Sequence, residues 1–238
     1  MIISHKYKYL FVELPHTAST AISKELTEHY DGQKIIRKHA YYHEFLKIAT
    51  PEEKKFFVFS GIRNPLDVII TPYFKYKSNH EDVYTTPKLW KRNGGFVPNS
   101  ALTKFNFVQT TNADFPTFFK KFYYLPYDDW SCLAHHQFDF IIRFENLQSD
   151  FATLLSLLKI EQVRDLPLAN KTPDKKGDFW TYYIPEIRDL ARNVGGPYMK
   201  KWGYKFPNNW KNKTVPWYSQ TTYKLVSFVR GLKWRYVG

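Results

Sequence analysis

An apolar run from Leu10 to Val12 gives way to a Pro-led turn, after which Ala21, Ile22, Leu26 and Tyr30 recur at roughly helical spacing. The run has the character of a strand covered on both faces, so the stretch reads as strand, tight loop and helix, ending at Asp31-Gly32. A short strand over 34–37 ends at Lys38-His39, and a helix over 41–49 stops at Thr50-Pro51. The strong apolar run 56–59 then leads into Ser60-Gly-Ile-Arg-Asn-Pro65. This alternation predicts a parallel sheet with right-handed crossovers. A helix over 66–78 is predicted next, with Pro65 in its first turn and a kink or early end at Pro72. Residues 79–100 are polar, with Gly94-Gly95 and Pro98, and read as a long loop or substrate-side insertion. Helices over 101–110 and 115–123, a strand over 138–143 and an amphipathic helix over 148–159 follow. The rest reads as a basic loop over 170–177, a helix over 185–193 and a compact end at 203–206.

Composition narrows this picture. The 238 residues carry a formal net charge of +13, which points to an anionic partner: nucleic acid, an acidic surface, an acidic glycan or a phosphate-rich cofactor. Cys132 is the only cysteine, which rules out an intrachain disulfide and a cysteine-based zinc site, and a buried structural role is expected for it. No apolar run is long enough for a secretory leader or a membrane span, so a soluble, cytoplasmic protein is expected. The tail sets Leu225, Phe228, Val229, Leu232 and Trp234 beside Lys224, Arg230, Lys233 and Arg235. A terminal helix docked on its own domain is the favoured reading, with contact to a membrane surface as the alternative.

The chemistry gathers where strands end. Strand, tight loop and helix is the geometry that aims backbone N–H groups and a positive helix end at an anion. Thr17, Ser19 and Thr20 can add hydroxyl donors, and Ala18 permits close approach. The loop has neither the glycines nor the Lys of the nucleoside-triphosphate P-loop pattern. Its alternative reading is an ordinary turn with Ser19 or Thr20 as N-cap. His16, His39 and Arg63 each lie just past a predicted strand end, where ligands of parallel sheets collect. With Thr71 two turns into the next helix, Arg63 can grip one phosphate from two sides. The alternative is an Arg63–Asp67 capping pair.

Taken together, these segments resemble the sulfotransferases that use 3′-phosphoadenosine 5′-phosphosulfate (PAPS), in particular the carbohydrate-type branch. Leu14-Pro-His-Thr-Ala-Ser-Thr20 looks like the family's 5′-phosphosulfate loop. Ile62-Arg-Asn-Pro-Leu-Asp67 with Thr71 looks like its 3′-phosphate motif. Ile142-Arg-Phe-Glu-Asn-Leu147 with Asp150-Phe151 is similar to its Arg-aromatic-Glu segment, and Asn170, Tyr182-Tyr183 and Trp202-Gly-Tyr204 echo its C-terminal part. The likeness spans residues 8 to 206, with the motifs in order and properly spaced.

The resemblance implies an α/β, P-loop-like three-layer fold, with a central, mostly parallel sheet flanked by helices. It would occupy 1–210 and leave 211–238 as a basic aromatic tail. It also implies sulfuryl transfer from PAPS to a hydroxyl acceptor such as a saccharide, without a metal and with no nucleic acid expected as partner. His16, Thr17, Ala18, Ser19, Thr20, Arg63 and Thr71 would bind the donor. His39 is the first choice for general base, with His43 and then His135-His136 in reserve. Two positions depart from the family pattern. His16 stands where the family has Lys, and Thr71, followed by Pro72, stands where it has Ser. His16 can replace Lys only when protonated or donating a hydrogen bond, so activity fading above neutral pH is expected. The alternative is a nucleotide- or nucleic-acid-binding protein on a catalytically degenerate fold of this type.

Overall fold

A computed structural model describes residues 1–126, 130–167, 175 and 177–236, and among these the side chains at 130–133 and 234–236 lie outside the description. In chain order the elements are β1 (Ile2–Ser4), β2 (Tyr9–Val12), α1 (Ser19–His29), β3 (Gln33–Lys34), α2 (Tyr42–Ile48), β4 (Phe57–Ile62), α3 (Pro65–Lys77), α4 (Asn99–Thr111), α5 (Phe115–Phe122), β5 (Phe140–Arg143), α6 (Leu147–Leu157), α7 (Pro185–Trp202) and α8 (Trp217–Tyr236). Two compact units result, one made of residues 1–64, 129–170 and 226–238, the other of 65–128 and 171–225.

The first unit holds a five-stranded mixed sheet in the order β3-β1-β2-β4-β5. β2, β4 and β5 run parallel, while β1 is antiparallel to both of its neighbours, β2 and β3. Alternation along the strands splits the core. Ile2, Tyr9, Phe11 and Phe59 face one side, under Ile22 and Leu26 of α1 and Phe151, Leu154 and Leu155 of α6. Met1, Ile3, Leu10, Val12 and Val58 face the other, with Phe45 of α2. Strands buried on both faces read as continuous apolar runs, which is why β2 and β4 were visible in the sequence.

β1 was not anticipated. It inserts between β2 and β3, so the neighbour of β2 on that side is an antiparallel hairpin partner rather than the predicted 34–37 strand. That strand shrinks to Gln33–Lys34, whose residues are exposed and which is held by pairing with β1.

The second unit packs α3, α4, α5 and α7 around an aromatic core that includes Tyr73, Phe74, Phe118, Phe119 and Tyr183. α3 continues through Pro72 to Lys77, so the expected early end does not occur. α7 runs past Asn193 to Trp202, through Gly195-Gly196-Pro197, and its glycines sit at close packing contacts. A Cβ on Gly195 would lie 2.7 Å from a Leu66 methyl, and one on Gly196 would lie 2.7 Å from a Val215 methyl. Segment 79–100 is built from single helical turns at His80–Asp82, Pro87–Leu89 and Lys91–Asn93, with a Trp90–Val97 bridge. Of the predicted 170–177 loop, Lys175 and Gly177 are described; Asn170 and the remainder lie outside the described residues, as does the Cys132 side chain.

Glu13, just past β2, is buried and ties strand to helix. Its carboxylate accepts from the Ser23 hydroxyl at 2.6 Å and from the Met1 ammonium at 2.9 Å. Burial pushes its pKa up, but the Ser23 hydrogen bond, the Met1 ammonium and Lys38 outweigh burial and hold it below the usual carboxylate value. A carboxyl depressed in the folded state contributes stability above its unfolded value, about 4.3, and loses it as pH falls through the folded value. Glu13→Gln should therefore lower the melting temperature at neutral pH and flatten its decline in acid. Melting curves taken from neutral pH down to about pH 3 check this, and an unchanged acid slope in the variant would reject it.

Candidate active site

After β2 the chain turns toward β3 on one side of the sheet, whereas after β4 it reaches β5 on the other. The carboxyl ends of the adjacent parallel strands β2 and β4 thus flank a topological switch point, where open α/β sheets place their ligands. The Glu13–Thr20 segment leaves β2 at this point. Gly61 of β4 lies beneath it, and a Cβ there would come within 3.0 Å of Thr17.

His16 and Ala18 have φ of 65° and 60°, left-handed for non-glycine residues, and bracket the buried Thr17. Such residues cost on the order of 1 kcal/mol or more each and gather where a backbone is shaped for a ligand. The N-cap of α1 is Ala18, and no side chain caps it among the described residues, so neither Ser19 nor Thr20 plays that part. The first N–H groups of a helix have no acceptor within it, and they carry its positive end.

Several carbonyls in and just before this segment are engaged. Val12 O accepts from Ser60 Oγ at 2.6 Å, Leu14 O from Thr17 Oγ1 at 2.9 Å and His16 O from Arg63 Nη1 at 3.1 Å. Glu13 O lies 3.3 Å from His39 Nδ1, and Ala18 O takes the Ala21 and Ile22 N–H groups. Beside these engaged carbonyls, the N–H groups that open α1 are donors the segment can offer a ligand.

The structure brings His16, Arg63 and His39 to this one segment. Arg63 lies with its guanidinium 3.8 Å from the Phe144 ring centroid, while the Asn64 N–H donates to Glu145 at 2.7 Å. Arg143 N–H donates to Asp150 at 2.7 Å. The Arg143–Asp150 stretch therefore shapes the exit of β5 and holds the Arg63-Asn64 turn. Because a carbonyl can only accept, the His39 contact with Glu13 O puts the proton on Nδ1 and leaves Nε2 as the basic nitrogen. Burial pushes the His39 pKa down, with Lys38 and the Met1 ammonium adding to it, against the Glu13 interaction. His39 is itself left-handed, at φ 60°, and its carbonyl accepts from Arg37, which also pairs with Glu44. His43 sits in the first turn of α2, stacked on Tyr41, and burial lowers its pKa as well.

One residue was missed. Lys38 reaches back so that Nζ lies 2.8 Å from Thr20 Oγ1, which sets a cation at the N-terminal turn of α1. Its only signal in the sequence was its place beside His39.

Other predicted residues lie in the second unit. Thr71 is buried in α3, and its hydroxyl donates to Asp67 O at 3.3 Å. Asp67 is ion-paired with Lys175. The Tyr183 hydroxyl donates to Leu66 O at 2.7 Å in the core, and Gly203, left-handed at φ 71°, ends α7 after Trp202. His135 is buried against Phe138 in the first unit. Among the described residues no group of His, Cys, Asp or Glu is arranged as metal ligands. Comparison with family models, with curated proteins and with solved structures finds no match to this chain.

Proposed function

We propose that the protein is a PAPS-dependent sulfotransferase with a P-loop-like site, moving a sulfuryl group to a hydroxyl acceptor. The observation that carries this reading is the Glu13–Thr20 segment, whose carbonyls at 13, 14, 16 and 18 are engaged within the protein beside the start of α1, which no side chain caps among the described residues. An uncapped helix end with Lys38 and Arg63 at the same segment is a donor set suited to a doubly phosphorylated ligand. When bound, PAPS supplies a sulfuryl group on an activated phosphate. The α1 N–H groups, Lys38 and His16 stabilise negative charge on the 5′ side. Arg63 binds the 3′-phosphate. His39 Nε2 takes the proton from the acceptor hydroxyl as its oxygen bonds to sulfur and the bond from sulfur to the phosphate oxygen breaks. The net charge of +13 suits an acidic saccharide as acceptor.

Adenosine 3′,5′-bisphosphate should raise the melting temperature. At a hundredfold excess over its Kd the stabilisation is about 2.7 kcal/mol, several degrees for a chain of this size. Arg63→Ala and Lys38→Ala each remove a charge-assisted contact and should weaken binding about 10- to 100-fold. No shift in the wild-type protein would end this reading, whereas a shift without transfer to any acceptor in a glycan panel would leave a nucleotide-binding protein.

His39→Ala should reduce turnover by about 10²–10⁴-fold and leave bisphosphate binding unchanged. A base with a depressed pKa is active above that value and loses activity as protonation sets in. The acid limb of kcat/KM should therefore fall below the ordinary histidine value of about 6.5 and vanish in the variant. If His43→Ala abolished turnover and His39→Ala did not, the base would be His43.

A further inference from the structure

The C-terminal helix α8 has one face held and one face unaccounted for. Ser219 and Tyr223 are buried, and the Ser219 hydroxyl donates to Asn193 O at the start of the helix. On the other side Trp217 is 79% exposed, Leu225 61%, Phe228 64% and Val229 55%, with Leu232 also exposed. At about 100° per residue these five side chains fall within a sector of about 120°. Lys224 borders one edge of that sector and Lys233 the other, and both are exposed.

Scattered exposed apolar residues need no explanation, but Leu225, Phe228, Val229 and Leu232 cluster on one face, with Trp217 two turns earlier beyond the exposed Thr221, and such a face marks an interaction surface. Its charge identifies the partner. Asp189 is the last acidic residue of the sequence, and ten Lys and Arg follow it. A second copy would bring lysine rims of like charge together on two chains of net charge +13. Nucleic acid would accept the cations but gains little from Leu225, Val229 and Leu232. An anionic lipid surface satisfies both halves: aliphatic and aromatic side chains enter the boundary between headgroups and acyl chains, while lysine stems lie along it and their ammonium groups reach phosphate. No helix among the described residues is long and apolar enough to cross a membrane, so the mode is lying on the surface. We propose that the outward face of α8 is a membrane-surface anchor, with Trp217, Leu225, Phe228, Val229 and Leu232 entering an anionic leaflet and Lys224 and Lys233 flanking them. This inference is independent of the sulfuryl-transfer reading.

The test is sedimentation of the full chain with vesicles of phosphatidylcholine alone or mixed with phosphatidylserine. The wild-type protein should pellet with the mixed vesicles and stay in solution with the neutral ones. Losing one lysine charge weakens such binding about fivefold, so Lys224→Gln with Lys233→Gln should cost about 25-fold. Leu225→Ser with Phe228→Ser should abolish binding even at low salt, and since both residues are exposed their melting temperature should match the wild type. Binding that survives the serine pair would reduce the effect to general attraction of a basic protein and overturn the proposal. So would failure to pellet with phosphatidylserine vesicles, or a dimer in solution that the serine pair dissociates.

Discussion

The sheet's carboxyl edge is organised around the positive end of α1, which no side chain caps among the described residues. α1 begins at Ala18 without a side-chain cap, although an oxygen-bearing residue there would gain about 1 kcal/mol. Lys38 then stands at the same turn, where a cation is disfavoured by about 0.3–1 kcal/mol at an exposed site. Left-handed backbone at His16 and Ala18 adds further cost. The sheet below can hold these features because β2 and β4 are buried on both faces and paired over their full overlap, Tyr9 with Phe57 through Val12 with Ser60. Glu13 offsets part of the charge from beneath, where its carboxylate is taken by Ser23 and the Met1 ammonium. An anion above the loop would resolve the rest.

The legible parts of the molecule were those in which side-chain pattern and backbone role coincide. β2, β4, α1 and α6 bury enough apolar surface for periodicity to report them. β1 spans only Ile2–Ser4, too short for a period, and β3 is two exposed residues fixed by backbone pairing that no side chain encodes. The glycines inside α7 at 195 and 196 are there for close approach to the side chains of Leu66 and Val215, which are distant in sequence, so a local reading cannot tell them from a helix end. At the site, the meeting of His16 and Arg63 could be foreseen because they follow β2 and β4, adjacent parallel strands, whereas His39 lies five residues beyond the shortened β3 and reaches Glu13 O through a left-handed turn. The reach of Lys38 to Thr20 could not be foreseen, because it depends on the path the chain takes between β3 and α2.

The third motif shows how a sequence pattern divides between chemistry and scaffolding. Glu145 and Asp150 spend their carboxylates on the backbone N–H groups of Asn64 and Arg143, and Phe144 carries the Arg63 guanidinium on its ring. These contacts restrict a long, flexible side chain, which on the proposed reading lowers the entropy Arg63 would lose on meeting a phosphate. A pattern that looks like part of a binding site in the sequence thus acts by positioning a neighbour.

The same division accounts for His16. Position 16 has a φ of 65°, a conformation in which Asn, Asp and His are enriched among non-glycine residues. Its carbonyl is held by Arg63 while its side chain is exposed. On the proposed reading the permanent charge at the α1 terminus comes from Lys38, arriving from the exit of β3, so position 16 is released from carrying a lysine and is free to satisfy the backbone. A His at 16 with its charge supplied from 38 predicts a weaker alkaline limit on activity than a site relying on imidazolium alone, because the lysine ammonium persists well above neutral pH. In Lys38→Gln the remaining cation at the loop is the titratable one, and the alkaline limb of the rate profile should move toward neutrality. Measuring that limb in both proteins, at saturating donor, separates charge supplied by Lys38 from charge supplied by His16; an unmoved limb would return the role to His16.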